Sequence, residues 1–215
     1  MDRRKALKNM GLSLGYVVAT PTLISLVQSC KEENVALWTP DFLTKGEGSV
    51  ITHLVDILLP KTDSPSASEV QVHIFIDRFA DQVLTKEQQE FIKMTMGKFV
   101  EKALADTSKE LAEDLTPADL EPVLSSSLKV SKEQQDAFDQ AMEQYMGAVA
   151  EGNAAVLDDE ASRNAFAKTL RGMTIWGYKT SEYVGEEVLA YLSIPGTYVP
   201  CGDTEELTGG QAWSL

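Results

Sequence analysis

Two histidines occur in the 215 residues, and each has an aspartate within about one helical turn. His53 precedes Asp56 and His73 precedes Asp77, by three and four positions, so each pair shares a helix face. A metal could bridge them, but two histidines rarely suffice for a tight site. Hydrogen bonding within the fold is the expected use, and no metal ligand is assigned. Ser125-Ser126-Ser127 has no histidine near it in sequence to activate a nucleophile. The acid-rich stretches at Glu110–Asp114 and Asp158–Glu160 read as solvated helix faces and caps. Neither a glycine-rich phosphate loop nor a dinucleotide fingerprint occurs, so the chain has no evident way to hold a nucleotide or flavin. No catalytic residue and no resident cofactor are expected.

The reactive atoms that remain are two thiols. Cys30 closes an uncharged run from Met10 to Val27 that follows the basic segment Asp2-Arg3-Arg4-Lys5-Ala6-Leu7-Lys8. The run is about eighteen residues, near the lower limit for a spanning helix, and Pro21 interrupts it; a transmembrane anchor is the weaker reading. The basic segment resembles a twin-arginine export signal through Arg3, Arg4, Leu7 and Lys8. Ala6 stands where a bulky apolar residue is usual, which leaves the general secretory route open. Leu26-Val27-Gln28-Ser29-Cys30 resembles a lipobox, whose cysteine thiol accepts the lipid that brings acyl or diacylglyceryl chains, palmitate among them. Each buried methylene contributes about 0.8 kcal/mol, so three chains anchor essentially permanently. Residues 1–29 are expected to be the signal and 30–46 a lipidated linker. Lys31-Glu32-Glu33 reads as solvated linker and resembles the signal that sends some Bacteroidota lipoproteins to the cell surface. The expected location is the envelope of a Gram-negative bacterium, lipid-anchored and facing the periplasm. Cys201, the other thiol, is expected either buried or against a partner chain, and one cysteine builds no haem attachment or cysteine-ligated cluster.

Charge narrows the partners. The formal net charge is -14, and residues 1–29 hold four bases and one acid, so the rest carries 15 bases against 32 acids, near -17. That surface repels phosphate backbones, so nucleic acid is excluded as an expected partner. It also repels anionic lipid, which keeps the body off the membrane it is tied to.

The elements that must position these residues are helical. Val50, Ile51, Leu54, Val55, Leu58 and Leu59 recur at spacings of three and four, predicting a helix over 49–59 that Pro60 stops. A second is predicted over 69–84. Thr85 with Gln88 resembles a capping box opening a third through Leu104. Thr116-Pro117 starts a short helix to about Ser126. Ser131 with Gln134 opens another that ends at Gly152-Asn153, and Asp158 or Asp159 caps one through Ile175. The shared grammar of 85–89 and 131–135 fits a duplicated unit or the ordinary vocabulary of caps, the second being preferred. The expected class is all-α: six or seven helices in a compact bundle over 47–215, with an irregular tail rich in glycine, proline and aromatics.

From Trp176 onward the aromatics Trp176, Tyr178, Tyr183, Tyr191, Tyr198 and Trp213 interleave with Gly177, Gly185, Pro195 and Gly196. A short helix is expected over roughly 181–192. The aromatics fit three uses: core packing, anchors for another protein, or stacking on sugar rings.

Two sets of motifs carry a family resemblance. Ile57-Leu58-Leu59-Pro60, the Ser/Pro/Ala-rich stretch 63–68 and Phe75-Ile76-Asp77 form the first. Gly177-Tyr178, Ser181-Glu182, Gly185, Tyr191, Pro195-Gly196-Thr197-Tyr198 and Trp213 form the second. Over about residues 47–213 the chain resembles the subunit-3 family of membrane-bound gluconate 2-dehydrogenases. The resemblance implies a non-catalytic partner of a large FAD-dependent dehydrogenase of the glucose–methanol–choline type, acting on a sugar, sugar acid or glycoside. It also implies that the small chain aids folding and carries the large one through export, with a cytochrome c as electron acceptor through that subunit. Trp176, Tyr178, Tyr191, Pro195, Gly196, Tyr198 and Trp213 are the expected partner-binding residues. The alternative is a stand-alone envelope lipoprotein that binds carbohydrate or another envelope protein.

Overall fold

In the computed structural model, residues 38–192, 194, 196, 199 and 201–214 are described. Arg3, Arg4, Leu7, Lys8 and Cys30 lie outside them, as do Pro195 and Tyr198. Among the described residues the elements are α1 (Lys45–Leu58), α2 (Val72–Gln82), α3 (Lys86–Thr107), a 3-10 turn (Ala112–Asp114), α4 (Pro117–Leu128), α5 (Lys132–Ala150), α6 (Asp159–Lys179), a π-helical turn (Val184–Val188) and α7 (Thr204–Thr208). The all-α expectation holds.

Each start has a local cause. Thr44, Thr85 and Ser131 cap α1, α3 and α5 with reciprocal capping boxes to Glu47, Gln88 and Gln134. Asp119 accepts from Thr116 N–H at 2.8 Å and Thr116 Oγ1 at 2.6 Å to begin α4, and Asp158 caps α6. Burial would push the Glu47 carboxyl up, but bonds from Lys93 Nζ and Thr44 N–H hold it below its ordinary range. The Lys93 ammonium also sits 4.7 Å from the Phe42 ring centroid.

Helices α3 and α6 form the spine. Phe99 of α3 meets Phe166 of α6 with ring centroids 5.2 Å apart. Val50, Leu54 and Val55 of α1 and Leu120 of α4 close over them, all fully buried. Burying one such side chain contributes about 1.5–3 kcal/mol. The buried Gln89 donates to the Ala80 carbonyl at 2.7 Å and the Asp81 carbonyl at 3.2 Å, satisfying carbonyls that the end of α2 leaves open.

Three boundaries differ from expectation. Helix α1 starts at Lys45, because Thr44 and Glu47 cap it. Helix α2 starts at Val72, because 67–71 form a turn in which Glu69 accepts from Ser66 N–H at 2.8 Å and Gln71 takes the left-handed conformation, φ 61°. The tail helix shrinks to a π-helical turn in which Leu189 N–H reaches the Val184 carbonyl at 2.9 Å.

Candidate functional site

The two acids beside the histidines are structural. Asp77, fully buried on α2, accepts from the backbone N–H groups of Asp41 (2.7 Å), Phe42 (3.1 Å) and Leu43 (2.9 Å), the turn leading into α1. Asp56 on α1 accepts from Ser68 N–H at 2.8 Å and Ser68 Oγ at 2.6 Å, in the turn leading into α2. Each helix thus holds the entrance of the other. His73 lies beside Asp56; burial pushes its imidazole below the ordinary value, and the Asp56 charge partly offsets this. Among the described residues no group of three or more His, Cys, Asp or Glu could hold a metal ion.

The tail aromatics divide by environment. Tyr178 is half-buried, and its hydroxyl donates to the Pro65 carbonyl at 2.8 Å, tying the end of α6 to the loop after α1. Trp176 meets Phe75 and Phe79 edge-on, at 5.0 and 5.2 Å between ring centroids, with much of its surface in solvent. Gly177 permits this arrangement, since a Cβ there would stand 2.6 Å from Phe75 Cδ1. Tyr191 and Trp213 are exposed, which rules out core packing for them. Backbone pairing holds them in place: Ala190 N–H donates to the Ala212 carbonyl and Ser214 N–H to the Ala190 carbonyl, each at 2.9 Å. Gly196 is also exposed. Cys201 is exposed, so its expected burial is corrected: the segment entering α7 lies on the surface, and its side chain has no core to enter.

Sequence reading missed much of the apolar surface around these aromatics. Leu192, Ile194, Val199 and Leu207 are all exposed, Ile194 to 81%. The signal available was aliphatic residues in a stretch without helical periodicity. Glu182, Glu186, Glu187, Asp203, Glu205 and Glu206 in the same stretch are also exposed, and the sequence from Thr180 to Leu215 contains no Lys or Arg. The described tail therefore exposes apolar side chains and carboxylates and carries no basic residue.

A second opening lies elsewhere. A cleft of about 530 Å³ separates α5 from α3 and α6, lined by Phe91, Phe138, Met142, Tyr145 and Met146 among others. Helix α5 has no fully buried residue along its 19 positions.

The geometry offers an exposed apolar tail and two structural carboxylates. The profile of the family Gluconate 2-dehydrogenase subunit 3 matches residues 45–196. The chain belongs to this family. No curated protein and no solved structure matches it. As a subunit-3 protein it is part of an oxidoreductase complex, and the family implies association with a larger dehydrogenase subunit. The match runs from the first residue of α1 to Gly196, so it takes in the Asp56–Ser68 clasp, Asp77 itself and the Trp176–Tyr178 corner, while the Asp41–Leu43 turn that Asp77 grips precedes it.

Proposed function

We propose that this subunit-3 protein is a non-catalytic accessory chain that binds a large FAD-dependent sugar, sugar-acid or glycoside dehydrogenase, assists its folding and carries it through export. Lipid on Cys30 then ties the complex to the membrane on its periplasmic side, with residues 1–29 as the removed signal and 47–215 as one helical domain. FAD belongs to the large subunit, which passes electrons to a cytochrome c. The observation that carries the reading is the tail, where Tyr191 and Trp213 are held by backbone pairing yet left in solvent. Exposed aromatic side chains on a backbone that is already paired are suited to anchor a protein contact, because the segment loses little backbone freedom when they dock.

Affinity capture of the full-length lipidated chain from its native membrane tests the reading. A large partner at fixed ratio with flavin absorption supports it, and a colourless chain recovered alone under gentle conditions refutes it. Tyr191→Ser with Trp213→Ser should reduce the captured flavoprotein by an order of magnitude or more, the loss of two anchors at about 2 kcal/mol each being sufficient.

A further inference from the structure

The cleft of about 530 Å³ between α5, α3 and α6 is a built opening and not loose packing. Helix α5 is tied to α6 at two points. Gln135 Nε2 donates to Asn164 Oδ1 at 3.4 Å, and Lys168 Nζ donates to Asp139 Oδ1 at 3.3 Å. Asn164 is buried and anchored in turn, donating to the Ser127 carbonyl at 2.8 Å. Tyr145 of α5 meets Phe91 of α3 with ring centroids 5.8 Å apart. On α6 the lining includes Ala161 and Ala165, side chains too short to fill the space that these ties leave.

The walls decide what fits. Phe91 and Ile92 on α3 and Phe138, Met142 and Met146 on α5 are apolar, and methionine adapts to the shape of what it meets. A space of this volume between helices, with such walls and few polar groups, has the dimensions of a small-molecule site. Charge in the lining is already engaged. Lys168 pairs with Asp139, and the Glu87 carboxylate turns back to Thr85 and its own N–H at the cap of α3. An anion therefore finds the lysine taken, and a cation finds both carboxylates taken. One polar group in the wall is still unspent. Among the described residues the Tyr145 hydroxyl reaches the Met94 sulfur at 4.0 Å, and a thioether is a weak acceptor.

We infer that this cleft binds a neutral, mainly apolar small molecule that carries one accepting oxygen. Its body lies against Phe91, Phe138 and Met142, and its oxygen accepts the Tyr145 hydroxyl in place of the Met94 sulfur. Met146 and Val149, exposed in the open cleft, are partly covered when the molecule is bound, which adds apolar burial to the hydrogen bond. Such a site is independent of the accessory role, because it lies on α3, α5 and α6 and uses nothing of the tail.

The test is equilibrium dialysis of the mature chain carrying Cys30→Ser, so that neither lipid nor detergent competes for the cleft. Two probes of nearly one shape are compared: 2-acetylnaphthalene, which has a carbonyl, and 2-ethylnaphthalene, which lacks it. The chain should bind the ketone with a Kd of about 0.1 mM and the hydrocarbon about threefold to tenfold more weakly. Tyr145→Phe should erase that difference and leave the hydrocarbon's affinity unchanged. Ala165→Trp and, separately, Met146→Trp fill the cleft, and each should weaken both probes at least about tenfold with unchanged circular dichroism. Met146 is exposed, so its variant leaves the core untouched even where Ala165→Trp does not. Equal affinity of the two probes before any cleft substitution overturns the part given to Tyr145 and the ligand class with it. Binding that survives Met146→Trp, or no binding up to the solubility of the probes, overturns the site.

Discussion

Asp77→Ala removes both acceptor oxygens from under three backbone N–H groups at 2.7, 3.1 and 2.9 Å. The carboxylate is fully buried, and the deleted oxygens leave no protein acceptor in their place. A hydrogen bond to a charged acceptor contributes about 1.5–3 kcal/mol, and an orphaned buried donor costs about 1–3 kcal/mol. These terms overlap, and the Asp41 and Phe42 donors are only partly buried, so water can reach them. The expected loss is about 3–5 kcal/mol, a large share of the roughly 5–15 kcal/mol that holds a domain folded. In a domain of this size that lowers Tm by roughly 10 °C or more. Asp77→Asn separates charge from geometry. Its oxygen still serves Phe42 and Leu43, but its NH2 group meets Asp41 N–H donor to donor, so it should be destabilised by about half as much. Urea denaturation of the mature chain, followed by circular dichroism, measures both. A loss below about 1 kcal/mol in Asp77→Ala would refute the clasp as a main support of the entrance to α1.

Gly177→Ala should destabilise by about 1–3 kcal/mol, because a Cβ 2.6 Å from Phe75 Cδ1 forces the ring off Trp176; a shifted tryptophan emission accompanies the loss in denaturant titration. For His73, the folded imidazole lies below its ordinary value of 6.5, so below that pH the unfolded chain takes up a proton that the folded chain refuses. Stability from this residue is complete above about pH 6.5 and falls as the pH drops from there. His73→Phe should flatten that part of the profile, and denaturation midpoints at pH 5.5 and 7.5 compare the two.

The helices that were legible in sequence are those whose starts are written in side chains. Thr85 with Gln88 and Ser131 with Gln134 stand as expected, each box closed in both directions. What they could not convey is rank. Helix α3 buries Met96 and Phe99 in the spine, whereas α5, opened by the same grammar, has no fully buried residue. Caps depend on neighbours a few residues away, and burial depends on contacts made much further along the chain. The start of α2 was hidden for a related reason. Val70 continues the apolar spacing of the helix, and only the bonds of Glu69 to Ser66 and the backbone of Gln71 show that the helix has not yet begun. In the tail, the aromatics were visible but their exposure was not. Trp176, Tyr191 and Trp213 lie in solvent while Tyr178, a near neighbour of Trp176, binds a carbonyl 113 positions back along the chain.

The clasp on the turn before α1 also has a mechanical meaning. A pull passing along the chain into Pro40 meets Asp41, Phe42 and Leu43 before α1, the three residues whose N–H groups grip Asp77. The load then divides among three bonds to one rigid side chain and passes directly into α2, sparing the first turn of α1 from bearing it alone. A chain held by its leading end can be tugged and released without the tug starting to unwind its first helix.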